Sequence, residues 1–89
     1  MNKDGRKSLQ EVVTELQEII TKIEELKGKV DTIKDEEQDK YDNLSEGLQA
    51  TERGQEFETR AENLYSAEDD LQDAIDTIEN AITTISDQM

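Results

Sequence analysis

The stretch LQEVVTELQEIITKIEELKGKVDTI, Leu9 to Ile33, decides the fold. Its apolar residues are Leu9, Val12, Val13, Leu16, Ile19, Ile20, Ile23, Leu26, Val30 and Ile33. One row of them runs 9, 12, 16, 19, 23, 26, 30, 33, in alternating steps of three and four. That is the seam of a heptad repeat, the stripe by which one long helix lies along another. Val13 and Ile20 widen the stripe toward its N-terminal end. After Ile33 the next seam positions are Glu37 and Lys40, and apolar residues return at Tyr41 and Leu44. Ser8-Leu9-Gln10-Glu11 matches a capping box, which predicts a helix start at Ser8 and leaves residues 1–7 as a flexible N-terminus.

The second half repeats the pattern. Phe57, Ala61, Leu64, Glu68, Leu71, Ile75, Ile78, Ile82, Ile85 and Met89 follow steps of four and three without a slip. Ala67, Ala74 and Ala81 recur beside that seam, where small residues suit either helix propensity or close approach of another helix. Between the halves, Asn43, Ser45 and Gly47 mark a connection. Leu44 and Leu48 are spaced for one short helical turn within it, and Thr51 is placed to cap the second long helix. The expectation is a single all-α domain: a helix over residues 8–42, a connection over 43–50 and a helix over 51–87. Two helices of similar length, about 50–55 Å each, with a short link make a long antiparallel helical hairpin.

The two seams predict a register. Leu9 falls opposite Met89, Leu16 opposite Ile82, Ile23 opposite Ile75, Leu26 opposite Leu71, Ile33 opposite Leu64 and Tyr41 opposite Phe57. Val30 meets Glu68 and Glu37 meets Ala61, two weak layers. A two-helix hairpin buries only one side of each stripe, so a chain of this size is marginal alone. Val13, Ile20, Ala74 and Ala81 are therefore the expected oligomer interface, giving a homodimeric four-helix bundle or a higher homo-oligomer.

The 89 residues carry 24 acidic and 10 basic side chains, a net charge of −14, and no His, Cys, Pro or Trp. Direct nucleic-acid binding is not expected of a chain with so little basic charge. Without Cys there is no disulfide framework or thiol nucleophile, and without His the commonest general base is missing. High charge and low apolar content would suit disorder, but the periodic apolar pattern argues for a packed hairpin. No apolar run is long enough for a signal core or a membrane span, so a cytoplasmic protein is expected. The span from Asp35 to Glu46 begins and ends like a calcium loop, but Lys40 stands where such a loop needs Gly. No catalytic, cofactor or metal residues are identified, and an enzyme is not expected.

The charge is one-sided. Residues 1–34 hold seven basic and seven acidic side chains; residues 35–89 hold three basic and seventeen acidic. On a helix Asp69, Asp73, Asp76 and Glu79 share a face, with Asp70 beside them, and they form the candidate partner-binding ridge. Such a face either keeps the chain soluble or docks on a basic protein surface. Spread over a rod of about 50 Å, the net charge is one per roughly 3.6 Å. A DNA strand carries one per about 3.4 Å, so the density suits phosphate mimicry without demanding it.

The stretch DEEQDKYDNLSEGLQATERG, Asp35 to Gly54, followed by an acidic heptad helix, resembles a class of small acidic two-helix proteins encoded by bacteriophages and related mobile elements. Tyr41-Asp42-Asn43-Leu44 and Glu52-Arg53-Gly54 carry the resemblance, which covers about a quarter of the chain. Members often place Pro near position 45, where this chain has Ser45. Most members have no assigned function, so the resemblance implies a two-helix architecture in a host cytoplasm and transfers no site residues. In the tip, Tyr41, Leu44, Leu48 and Phe57 are expected to close the hairpin, with Arg53 paired to Asp39, Asp42 or Glu56.

Two functions compete at this level. One is a non-enzymatic acidic binding protein that occupies the basic surface of a nucleic-acid-processing or defence protein, as a phage-type inhibitor or DNA mimic. The other is a coiled-coil structural or adaptor protein that binds a partner helix through its apolar seam.

Overall fold

The computed structural model describes residues 1–89 and is built from helices alone. Helix α1 spans Lys3–Asp42, α2 is the single turn Glu46–Gln49, and α3 spans Glu52–Ser86. The long helices, of 40 and 35 residues, lie antiparallel and form a rod 69 × 16 × 13 Å. Its radius of gyration is 20.0 Å, against about 12 Å for a globular chain of this length. The anticipated all-α hairpin is the fold.

Helix α1 starts five residues before Ser8. The Asn2 side chain accepts a hydrogen bond from the Gly5 amide at 2.7 Å and caps the helix there, so Lys3–Lys7 are helical and the Ser8 capping box is unused. The anticipated turn around Leu48 forms as α2, with Ser45 as its N-cap. Thr51 caps α3 as anticipated: its Oγ1 accepts from the Gly54 amide at 3.3 Å and donates to the Leu48 carbonyl at 2.6 Å.

The tip closes differently from expectation. Tyr41, Leu44 and Phe57 are half-buried, but Leu48 faces solvent. Arg53 makes no ion pair; its guanidinium lies 5.8 Å from the centre of the Phe57 ring, as does that of Arg60. Gln49 Nε2 donates to the Tyr41 carbonyl, and Gln55 Nε2 to the Gln49 carbonyl. Gly54 is buried beneath this turn, where a Cβ would run into the Leu48 and Gln49 carbonyl oxygens. No left-handed backbone is involved; Gly54 is needed only for close approach.

Along the rod, α3 uses the seam read from its sequence, with Ala61 and Ile75 fully buried. Helix α1 does not. Its row withdrawn from solvent is Leu9, Val13, Leu16, Ile20, Ile23, Lys27, Val30, Lys34, Glu37, Tyr41 and Leu44. Val12, Ile19, Leu26 and Ile33, expected in the seam from their spacing, are instead 42%, 47%, 41% and 49% exposed. The helix is turned by about 50° from the expected seam.

The cause lies in α3. Glu68 sits in its seam, and a carboxylate packed against Val30 alone would lose its hydration with no compensating charge. The observed rotation brings Lys34 Nζ to 3.3 Å from Glu68 Oε1, and Lys27 Nζ to 2.7 Å from Gln72 Oε1. It also puts Tyr41 in phase with the rest of the row, where Leu44 already stood, so no slip follows Ile33.

Candidate functional site

Two faces of the rod stand out. Cross-hairpin contacts fix where they lie. Lys27 bonds Gln72 and Lys34 lies over the Tyr65 ring, so the row through Tyr65, Gln72 and Glu79 flanks the seam on one side. Glu37 pairs with Arg60 at 3.6 Å, so the row through Arg60, Ala67, Ala74 and Ala81 flanks it on the other.

Of the acidic ridge, Asp69, Asp76 and Glu79 lie on the first side, Asp73 on the outer surface of α3 and Asp70 beside the alanine row. Asp69, Asp70, Asp73, Asp76 and Glu79 all lie on the unbroken helix α3, and all are exposed. None of them takes part in an ion pair within the chain. The basic side chains that do pair are Lys22, Lys34, Lys40 and Arg60, and they bind carboxylates elsewhere. Only Asp76 has a side-chain hydrogen bond, from Gln72 Nε2 at 3.0 Å. The middle of α3 therefore presents uncompensated negative charge to solvent.

The second face is apolar and differs from the one expected from sequence. Val13 and Ile20, expected on the oligomer interface, lie in the contact between α1 and α3, Val13 buried and Ile20 half-buried. Ala74 is half-buried and Ala81 exposed, on the flank next to the outward row of α1. Val12, Ile19, Leu26 and Ile33 together with Ala67, Ala74 and Ala81 thus make one continuous apolar face. The signal that could have found it is the phase of Tyr41, which matches Val13 and Ile20 rather than Val12 and Ile19.

Between the faces runs a polar band. The Lys34 ammonium lies 2.8 Å from Asp31, 3.3 Å from Glu68 and 3.8 Å from Asp35. Asp31 and Glu68 raise the Lys34 pKa, Asp31 most of all, and Lys34 in turn lowers that of Asp31. Glu37 is held between Lys40 at 3.1 Å and Arg60 at 3.6 Å. One buried oxygen each on Glu37 and Glu68 accepts no hydrogen bond and is compensated only by these neighbouring cations. The Glu58 carboxylate raises the Tyr41 pKa.

The hollows along the rod are open grooves; one of them is lined by Lys34, Asp35, Gln38, Ala61, Glu62, Tyr65 and Ser66. No group of three or more Asp or Glu side chains is arranged to hold a metal ion. No helix is long and apolar enough to cross a membrane. Searches against protein-family models, curated proteins and solved structures find no match to this chain.

Proposed function

We propose that this is a non-enzymatic acidic binding protein whose α3 ridge occupies the basic surface of another protein. The supporting observation is the set of five exposed carboxylates, Asp69, Asp70, Asp73, Asp76 and Glu79, with no cation paired to any of them. A face meant only for solubility has no need to gather the excess charge on one helix. Clustered carboxylates on a rigid helix steer a cationic surface and release its counterions on contact.

The partner class that fits is a protein whose own ligand is a polyanion, such as a nucleic-acid-processing or defence protein. In that reading the ridge takes the place of a phosphate backbone, and the resemblance to phage-encoded proteins supports an inhibitory role. The experiment is affinity capture on the intact chain, followed by elution with DNA and by salt. A basic nucleic-acid protein released by both is the expected result. Capture unaffected by changing Asp69, Asp73 and Asp76 to Asn and Glu79 to Gln would sink the reading.

A further inference from the structure

We infer that the apolar face formed by the outward row of α1 and the alanine stripe of α3 is covered by a second copy of this chain, docked antiparallel about a two-fold axis. A two-fold axis requires each stripe to be complementary to itself. The α1 row Val12, Ile19, Leu26, Ile33 is evenly spaced, so reversing it pairs Val12 with Ile33 and Ile19 with Leu26. Its centre falls at residues 22–23. On α3, reversal about residues 77–78 pairs Ala74 with Ala81 and leaves Ala67 opposite Gln88.

An axis through the centre of the α1 row crosses α3 close to that position. Ile20 and Ile82 line one hollow, and Lys27 bonds Gln72. Residues 20–27 of α1 therefore lie opposite residues 72–82 of α3, and the midpoints of those segments, 23–24 and 77, fall within about one residue of those positions. One axis serves the α1 row and the Ala74–Ala81 pair.

Charge selects the same arrangement. The row outside Val12–Ile33 contains Glu15, Lys22 and Lys29, and in this register Glu15 falls opposite Lys29 of the other copy, twice. Lys22 meets its equivalent at the axis, already paired with Glu25 at 3.4 Å. On α3, Asp70 falls opposite Thr84 rather than another acid. The ridge of Asp69, Asp73 and Asp76 lies on the flank away from the contact, so two copies meet without bringing their acidic faces together. The apolar row is about 31 Å long, and with the 16 Å width of the rod the pair covers on the order of 1,000 Å², the size a specific interface needs.

This inference is independent of the acidic-ridge reading and can fail without it. The test uses the full chain, which has no cysteine of its own. Sedimentation equilibrium should give twice the 10.2 kDa chain mass, falling to 10.2 kDa for Leu26→Glu with helical circular dichroism retained. Oxidising a mixture of Val12→Cys and Ile33→Cys proteins should link one to the other, while neither links to itself. That cross-link decides the matter should Leu26→Glu unfold. A 10.2 kDa mass at every concentration, self-linking of Val12→Cys alone, or a dimer without the mixed cross-link would each overturn the proposal.

Discussion

Lys34 crosses the hairpin to Glu68, with 3.3 Å between Nζ and Oε1 and both side chains largely withdrawn from solvent. This pair lies in the seam of both helices and sets which face of α1 is turned inward. Breaking such a pair costs more than the pair contributes, because the remaining charge stays desolvated. Lys34→Met should lower the urea midpoint clearly, and adding Glu68→Leu to it should restore the midpoint to at least the wild-type value. A double variant less stable than Lys34→Met would mean that the pair itself, rather than the stranded carboxylate, carries the stability. The measurement is urea unfolding followed by circular dichroism.

The same neighbourhood sets the response to pH. Lys34 and Tyr41 have folded pKa values raised above their ordinary 10.5 and 10.0. Their contribution is complete below those ordinary values and is lost as pH rises through the folded ones. Asp31 is lowered from 3.8, so its contribution is present above that value and is lost as pH falls through the folded one. The urea midpoint should therefore decline above about pH 10. Tyr41→Phe and Lys34→Met should each flatten that decline. An unchanged alkaline limb in both variants would refute the assignment.

Two glycines make opposite predictions from the same substitution. Gly28 is exposed in α1 with nothing near its missing side chain, so Gly28→Ala should stabilise the fold by about 1 kcal/mol through helix propensity. Gly54 is also helical, but a Cβ there would overlap the backbone of Leu48 and Gln49. Gly54→Ala should destabilise by roughly 1–3 kcal/mol, as forced overpacking does, despite alanine being the better helix former. Chemical denaturation of the two variants side by side separates propensity from packing.

The hairpin was legible because its two apolar rows are long and their helical period is unbroken. The cap at Thr51 was legible from residue type. The phase of α1 was not, because its first half offers two apolar rows beside Leu9, Leu16 and Ile23. One is Val12, Ile19, Leu26, Ile33; the other begins with Val13 and Ile20 and continues through lysines. Apolar content alone favours the first, and the structure uses the second. A lysine becomes a seam residue only when its partner is known, and Glu68 and Gln72 lie more than thirty residues away in sequence. The acidic ridge needed no such partner and was read directly. The α1 half of the apolar face was missed because it consists of the residues the wrong phase had placed inside.

Stability and binding should separate at the acidic ridge. Asp69, Asp73 and Asp76 succeed one another at spacings of four and three, and Glu79 continues them. Like charges at those spacings destabilise a helix by about 0.2–0.5 kcal/mol per pair. No cation of the chain offsets them. Changing the three aspartates to Asn and Glu79 to Gln should therefore stabilise the hairpin, by about 1 kcal/mol at low salt, and the gain should shrink as salt screens the wild-type repulsion. If the ridge serves only to repel other chains, the variant loses solubility and nothing else. If it docks on a basic surface, the more stable variant fails to capture the partner that wild type captures. Urea midpoints at low and high salt, with capture assayed in parallel, distinguish the two. A variant that is less stable at low salt would show that these carboxylates hold the fold rather than strain it.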